Sequence, residues 1–231
     1  MGNIFIDHDM GVPQIKCTDC GKCDSIIGKS LCSVTDRGCC HYFPEFTLVD
    51  IQRMAAMEGG KEALEIILSN PGTTVNNFNI YSKGPFDKTA YDQYISSGNL
   101  LETGSIRDHT IFFRCCPYVV PGKGCKLPPR FRTTVCNFFI CSEILERPDL
   151  QDFFTEYLEE RSRYSRWVYR ESSVLAHILT ENGLNLLSDF DASIELLSHI
   201  EQNHYEFPVL DPVSYSINSL DGTLPMTTST R

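Results

Sequence analysis

Cysteine is the residue type in this chain whose number and spacing most clearly indicate chemistry. Six of the eleven cysteines fall within residues 17–40, and the other five fall within residues 115–141. Thiols at this density can ligate a metal, pair as disulfides or act as nucleophiles. The candidate metal ligands are therefore the whole set: Cys17, Cys20, Cys23, Cys32, Cys39, Cys40, Cys115, Cys116, Cys125, Cys136 and Cys141.

The spacing of the first three cysteines favours metal ligation. Two residues separate Cys17 from Cys20 and Cys20 from Cys23, and Gly21 lets the chain wrap around a bound centre. A structural zinc site needs a second CxxC or Cys/His pair, whereas three close cysteines and one remote cysteine are typical of an iron–sulfur cluster. The Cys116-Pro117 dipeptide matches the remote ligand of bacterial ferredoxins. We therefore expect a [4Fe–4S] cluster, with zinc as the alternative, completed by the second cysteine group.

The ligand count leaves two arrangements open. Eleven cysteines can fill two four-thiolate centres with three left over, or one centre with the remaining thiols buried as small apolar side chains. The adjacent pairs Cys39-Cys40 and Cys115-Cys116 cannot easily give both thiols to one ion. In each pair we expect one thiol to ligate while its neighbour faces elsewhere or serves another site.

Charge and hydropathy exclude several classes of partner. The net charge is −10 and the pI is about 5.0, so nucleic acid is a poor partner. No apolar run approaches the roughly 20 residues that span a bilayer, so we expect no membrane insertion. The N-terminus resembles neither a signal peptide nor a myristoylation site, which predicts a cytoplasmic location. In that reducing compartment, and with an odd cysteine count, metal ligation is favoured over disulfides.

The patterns predict an α+β fold, mainly α, with irregular cysteine-rich metal-binding loops. Residues 1–148 are expected to form a cysteine-cluster metal-binding domain, residues 149–204 a helical part packed on it, and residues 205–231 an extended tail. Glycines and prolines interrupt regular structure within the two cysteine modules, residues 17–40 and 115–141. Pro148 and Gly183 mark the two ends of the long helical stretch.

The predicted elements follow hydrophobic periodicity and capping residues. Helices are expected after the N-cap Thr47, over residues 61–70, at residues 92–95, from residue 149 as one helix or two, and over residues 184–203 with a break or new cap at Asp189 or Asp191. Strands are expected at residues 4–6, 78–81 and 109–115. The end of the tail is expected to be mobile or docked as a strap.

Three segments resemble one known family. CTDCGKC at residues 17–23 is similar to the opening motif C-x-x-C-G-x-C-C of the zinc- or iron-chelating cysteine-cluster family (CxxCxxCC, YkgJ-like), which includes relatives of the flagellin lysine methylase FliB. GCC followed by P-x2-T-x2-D at residues 38–50 resembles that family's cysteine pair before a capped helix. GKGCKLPPRFRTTVCNFF at residues 122–139 resembles its third motif, with Cys125, Arg132 and Cys136 at the matching positions. The resemblance implies a multi-cysteine zinc or iron–sulfur centre, and the methylase relatives favour iron–sulfur.

Function is predicted as cysteine-ligated metal binding, in electron transfer, metal handling or support of an assembly. The alternative is an iron–sulfur-dependent transferase resembling a protein-lysine N-methylase, which would need an open coordination position beside a cleft. A third hypothesis is an interaction module with a protein partner that docks on the C-terminal helices or the tail.

Other residues are secondary candidates, each with an ordinary structural alternative. His41 is either a ligand or a polar neighbour of the cysteines, and Asp50 is expected in a first helical turn. Lys126, Arg130 and Arg132 either bind an anion and tune a cluster or pair with nearby carboxylates. The pairs Glu195/His199 and Glu201/His204 have helical metal-site spacing but are expected to form a solvated face.

Overall fold

The computed structural model describes residues 2–18, 20, 25–103 and 106–215. It is a mixed α and β fold with about 44% helix and 15% strand, which agrees with the predicted α+β class. The helices are α1 Leu48–Ala56, α2 Gly60–Leu68, α3 Lys88–Ser97, α4 Thr134–Asn137, α5 Ser142–Leu145, α6 Gln151–Glu181 and α7 Phe190–His199. The strands are β1 Gly2–Asp9, β2 Val12–Cys17, β3 Glu45–Phe46, β4 Thr73–Val75, β5 Ile80–Ser82, β6 Val119–Val120, β7 Gly124–Cys125 and β8 Val213–Tyr215.

The N-terminal sheet has the order β2-β1-β8 and delivers the first cysteine. The strands β1 and β2 form a hairpin in which Ile4 lies opposite Cys17. Met10 and Gly11 form its turn with φ of 49° and 81°, the two positive angles that a tight hairpin turn requires. The strand expected at residues 4–6 is therefore present and longer, and the sequence did not predict β2. Part of the expected tail pairs with β1 as β8, while residues 216–231 lie outside the described residues.

The helix α1 is the most buried helix of the fold. Its first turn has a capping box in which the Thr47 hydroxyl accepts from the Asp50 backbone N–H and the Asp50 carboxylate accepts from the Thr47 backbone N–H. The helix packs against α2, α6 and α7. The helix α2 begins at Gly60, where no side chain fits, because a Cβ there would lie 2.0 Å from the Met54 carbonyl oxygen. The predicted caps and helices of this segment are confirmed.

The long apolar stretch from residue 149 forms one helix, α6, of 31 residues. A 3-10 turn that begins at Pro148 precedes it, and Gly183 at φ 69° follows it. The helix α7 begins directly after Asp189, which agrees with the break predicted there. None of the helices within the described residues combines the length and the apolar composition needed to cross a membrane.

One predicted strand is wrong. Residues His109–Phe113 form a 3-10 helix, in which the Asp108 carboxylate accepts from the Thr110 N–H. Ile111, Phe112 and Phe113 are all buried, so this short apolar run has no polar face whose period could distinguish a strand from a helical turn. The run packs with α3 in a small separate core.

The main apolar core includes residues from both ends of the described chain. Ile4, Leu48, Phe154 and Tyr215 all belong to it. The division into a metal-binding domain at 1–148, a helical part at 149–204 and a tail stays a prediction.

Candidate metal centre

The cysteines lie on short or irregular elements. Cys17 ends β2, Cys125 lies in β7, Cys136 lies in α4, and Cys141 precedes α5. Residues 29–44, which include three more cysteines, contain no helix or strand. Cys23 lies outside the described residues. Eight of the described cysteines are free thiols: Cys20, Cys32, Cys39, Cys40, Cys115, Cys116, Cys125 and Cys136.

Long-range backbone hydrogen bonds hold the two cysteine modules together. The Cys116 backbone N–H donates to the Cys40 carbonyl oxygen at 2.8 Å, and the Gly122 N–H donates to the Asp36 carbonyl oxygen at 2.8 Å. In α4 the Thr133 hydroxyl accepts from the Cys136 N–H at 3.4 Å, which fixes the start of that short helix. The expected meeting of the two cysteine groups is therefore present in the fold.

A first thiol set comprises Cys17, Cys20 and Cys39. Hydrogen bonds with Cys17 and Cys39 lower the pKa of Cys20 well below its usual value. The hydrogen bonds that Cys39 makes with Cys20 and Cys40 raise its own pKa, because Cys39 holds the shared proton. The Tyr215 hydroxyl oxygen lies 3.1 Å from the Cys17 sulfur, so the strand β8 also contacts this set.

A second thiol set comprises Cys40, Cys116, Cys125 and Cys136. Burial raises the pKa of Cys116 and raises that of Cys136 to about 11. The pKa of Cys116 is also raised by the charges of Cys136, Cys125 and Cys40. The pKa of Cys136 is likewise raised by the charges of Cys125 and Cys40. The hydrogen bond with Cys39, together with the charges of Arg132 and Arg37, lowers the pKa of Cys40 to about 7.

Two arginines supply positive charge to these thiols. The charge of Arg132 favours a lower pKa for the thiols of Cys40, Cys125 and Cys136. Its Nε donates to the Leu127 carbonyl oxygen at 2.7 Å. Arg37 is only 2% exposed. Its guanidinium donates to the carbonyl oxygens of Gly38 at 2.6 Å, Lys29 at 2.7 Å and Ile111 at 2.8 Å.

Thiols are the groups that act electrostatically on Arg37. Burial lowers the pKa of Arg37, and Cys32, Cys115, Cys40 and Cys39 oppose that effect. Within residues 2–18, 20, 25–103 and 106–215, Arg37 forms no salt bridge with a carboxylate. Burial also raises the pKa of Cys115 to about 11.

The two adjacent cysteine pairs divide their thiols between different surroundings. Cys39 contacts Cys20 of the first set, whereas Cys40 belongs to the second set. Cys115 lies near Cys32 and Arg37, whereas Cys116 belongs to the second set. The Cys39 and Cys40 thiols still hydrogen-bond each other, so the two sets adjoin at this pair.

The secondary candidates have ordinary contacts. Arg130 pairs with Asp9 at 3.0 Å, the carboxylate pairing considered above. The His199 ring lies 2.8 Å from the Glu195 backbone carbonyl rather than its carboxylate. His204 lies beyond α7, on irregular backbone.

His41 and Cys141 border the thiol sets. Burial lowers the pKa of His41 to about 4, and its Nδ1 is buried without a hydrogen-bond partner in the described part of the chain. The Cys141 thiol hydrogen-bonds the Glu143 carboxylate, which also accepts from the Ser25 hydroxyl at 2.8 Å. Glu143 thus connects the end of the second module to the first.

No group of three or more His, Cys, Asp or Glu side chains among the described residues is arranged to hold a metal ion. The thiols are neighbours, but they do not surround one ion-sized point. The donor type suits zinc and iron–sulfur centres, since both take thiolate ligands, and the adjacent arginines favour the deprotonated form.

Sequence reasoning missed Arg37 and Tyr215 as parts of this region. Arg37 lies in the polar turn sequence Asp36-Arg37-Gly38, which gives no sign of burial. Its position between Cys32 and Cys39 is the only signal that could have singled it out. Comparisons of the chain with protein families, characterised proteins and solved structures find no match.

Proposed function

We propose that this protein binds a metal centre through cysteine thiolates, with a [4Fe–4S] cluster ahead of zinc. The proposed ligands are the second thiol set, Cys40, Cys116, Cys125 and Cys136, in place of the Cys17, Cys20 and Cys23 trio that the spacing predicts. The irregular cysteine-bearing segments would then act as metal-binding loops. Such a centre would serve electron transfer, metal handling or the support of an assembly.

The observation that carries the proposal is the burial of Arg37 among thiols. A buried guanidinium is costly unless a negative charge compensates it. Burial keeps the Cys115 thiol protonated at neutral pH, and Cys40, whose pKa is lowered to about 7, supplies only part of a negative charge there. A four-thiolate zinc or iron–sulfur centre carries net negative charge because its ligands are deprotonated. Such a centre beside Cys40 would balance both Arg37 and Arg132.

A cluster and a single zinc ion differ in how far apart they hold their four thiolates. Zinc–sulfur bonds of about 2.3 Å would hold the four sulfurs of a tetrahedral site roughly 3.8 Å apart. The four thiols interact through their charges, and they do not form an ion-sized group among the described residues. In a [4Fe–4S] cluster each thiolate binds a different iron, so its sulfurs lie farther apart.

The free thiols also support the proposed cytoplasmic location. Cys20, Cys39 and Cys40 are close neighbours, and none of the three forms a disulfide. Reducing compartments keep such thiols available for metal, whereas oxidising ones convert close pairs to disulfides.

The test compares alanine substitutions inside and outside the proposed ligand set. After anaerobic purification, Cys116→Ala and Cys136→Ala should each lose most of the bound iron and sulfide. Cys32→Ala is the matched control, because it removes a thiol beside Arg37 that is not a proposed ligand. Circular dichroism would verify that each variant keeps its helices. Unchanged metal in the ligand variants, or equal loss in the control, would contradict the assignment.

A further inference from the structure

Four arginines lie close together on the long helix α6: Arg161, Arg163, Arg166 and Arg170. Residues 161–170 contain these four and no aspartate or glutamate, which gives the segment a charge of +4 in a chain whose net charge is −10. A surface that concentrates one sign of charge attracts groups of the opposite sign. The segment therefore needs an account of which charges it faces.

Two of these arginines are engaged with neighbouring side chains of the same helix. Arg163 pairs with the carboxylates of Glu159 at 3.4 Å and Glu160 at 2.9 Å. The guanidinium of Arg161 lies 6.0 Å from the centroid of the Tyr157 ring, in a cation–π contact. The charges of Arg161 and Arg163 thus have partners within the fold.

The other two arginines, Arg166 and Arg170, are exposed, and neither forms a salt bridge within the part of the chain that the structure describes. Arg166 donates to the uncharged Ser162 hydroxyl at 2.8 Å. Glu171, which follows Arg170, accepts instead from the Asn203 side-chain amide at 2.8 Å. Because Arg166 and Arg170 lie one helical turn apart, their like charges repel, and bound carboxylates would relieve that repulsion.

Exposed apolar side chains flank this arginine pair. Tyr169 is 75% exposed and Val174 is 51% exposed. Tyr169 follows Arg166 by three residues and Val174 follows Arg170 by four, so the four side chains lie on the solvent-facing side of α6. We call them the α6 arginine face. Tyrosine and arginine are the residue types that most often dominate the affinity of protein interfaces.

The size and charge of this face favour a protein segment over a nucleic acid or a second copy of the chain. A nucleic acid binds through many phosphate contacts, and it would be repelled by a protein of net charge −10. Two copies of the chain repel each other for the same reason. Two unpaired guanidinium groups instead match two carboxylates, each of which can accept two parallel N–H groups.

We propose that the α6 arginine face docks an acidic segment of a partner protein. Two carboxylates of that segment, about 6 Å apart along its axis, accept from Arg166 and Arg170. An apolar side chain next to them contacts Tyr169. The helix α6 contains no cysteine, so this docking does not depend on the proposed metal centre.

The probe is a fluorescein-labelled helical peptide built from repeats of Glu-Leu-Ala-Gln, which places its glutamates one turn apart on one face. The same peptide with glutamine in place of each glutamate is the uncharged counterpart. We expect fluorescence anisotropy to show binding of the glutamate peptide at least about tenfold tighter than that of the glutamine peptide, and weaker binding as salt increases. No binding, equal binding of the two peptides, or tighter binding of a single-stranded DNA of equal charge would overturn the proposal.

Arg166→Gln combined with Arg170→Gln should weaken binding of the glutamate peptide at least about tenfold, and Tyr169→Ala should weaken it about fivefold. Lys61→Gln combined with Arg107→Gln is the matched control, because it makes the same change in net charge at exposed positions outside α6. The control should bind as the unmodified protein does. Equal affinity of the two double variants would contradict the proposed contact. All of these positions are exposed, where substitutions usually preserve the fold, and circular dichroism verifies this.

The oligomeric state of the unmodified protein provides a second measurement. Analytical ultracentrifugation should give a monomer at the concentration of the peptide titration. A dimer that dissociates in the variant with Arg166→Gln and Arg170→Gln would assign the α6 arginine face to a second copy of the chain and overturn the proposal.

Discussion

The helical region, formed by α1, α2, α6 and α7, and the cysteine region, formed by residues 17–44 and 115–141, are stabilised by different interactions. In the helical region, apolar side chains such as Ile51 and Leu179 are fully buried. In its described residues, the cysteine region buries Arg37 near thiols and contains mostly short or irregular elements. The first region is stabilised mainly by apolar burial, whereas the second contains a buried cation that only a partly ionised thiol, Cys40, offsets. Under the proposed function, the cysteine region would depend on a bound centre and the helical region would not.

The largest expected effect is on the cysteine region when metal is removed. Anaerobic chelation should lower the amide-exchange protection of residues 29–44 and 115–141 at least about 100-fold, because the thiolate centre no longer compensates Arg37. Protection within α6 should change less than about threefold. Hydrogen–deuterium exchange by mass spectrometry measures both. Equal loss in the two regions would remove the distinction between them.

A cavity in the helical region should destabilise the protein without affecting the metal. Ile51 is fully buried in α1, so Ile51→Ala should lower the free energy of unfolding by about 2–5 kcal/mol. Ile51→Val, the smaller deletion at the same site, should cost about 0.5–1.5 kcal/mol. Denaturant unfolding measures the loss, and metal analysis of the folded variants should give the unmodified stoichiometry. Metal loss that follows the stability loss would show that the two regions are not independent.

Tyr157 connects the two regions. Its hydroxyl on α6 donates to the Phe138 carbonyl oxygen at 2.7 Å, two residues after Cys136. Tyr157→Phe leaves that buried carbonyl unpaired and should cost about 1–3 kcal/mol in unfolding free energy. We expect faster metal release on chelation as well, since the short helix α4 loses an anchor. Stability loss with unchanged release kinetics would confine the role of this bond to the helical region.

The smallest expected effect concerns the cap of α1. Thr47→Ala removes the side-chain half of the capping box and should cost about 1 kcal/mol in the free energy of unfolding. Thr47→Ser retains the hydroxyl and should be close to neutral. Neither change should alter metal content. A cost for Thr47→Ser similar to that for Thr47→Ala would indicate that the methyl group, and not the cap, stabilises this position.

Local patterns predicted the helical region well. Thr47 and Asp50 mark the start of α1, and the apolar spacing from residue 149 predicts α6, because helix signals depend on residues within a few positions of one another. The strand β2 was missed because its pairing with β1 depends on a turn at Met10-Gly11 that has no standard hairpin sequence. The prediction of a strand at 109–115 is wrong because the buried apolar run within it has no alternation of polar and apolar residues that would distinguish a strand from a helical turn.

The cysteine region could be predicted only in part. Spacing indicated that the two cysteine groups meet, and the adjacent pairs indicated that neighbouring thiols would separate. The assignment of Cys40 to the same set as Cys116 depends on a contact between backbone segments 76 residues apart in the sequence. The burial of Arg37 likewise depends on residues far along the chain, such as Ile111. Sequence spacing contains no information of that kind.

The most direct test of the proposed centre is metal and sulfide analysis of the unmodified protein after anaerobic purification, together with its visible spectrum. The account predicts a brown protein with broad absorbance near roughly 400 nm and about four iron and four sulfide per bound cluster. A colourless protein with stoichiometric zinc would contradict the iron–sulfur assignment. A protein purified without any metal, with the cysteine region still protected from exchange, would contradict the proposal that thiolates hold a metal centre beside Arg37.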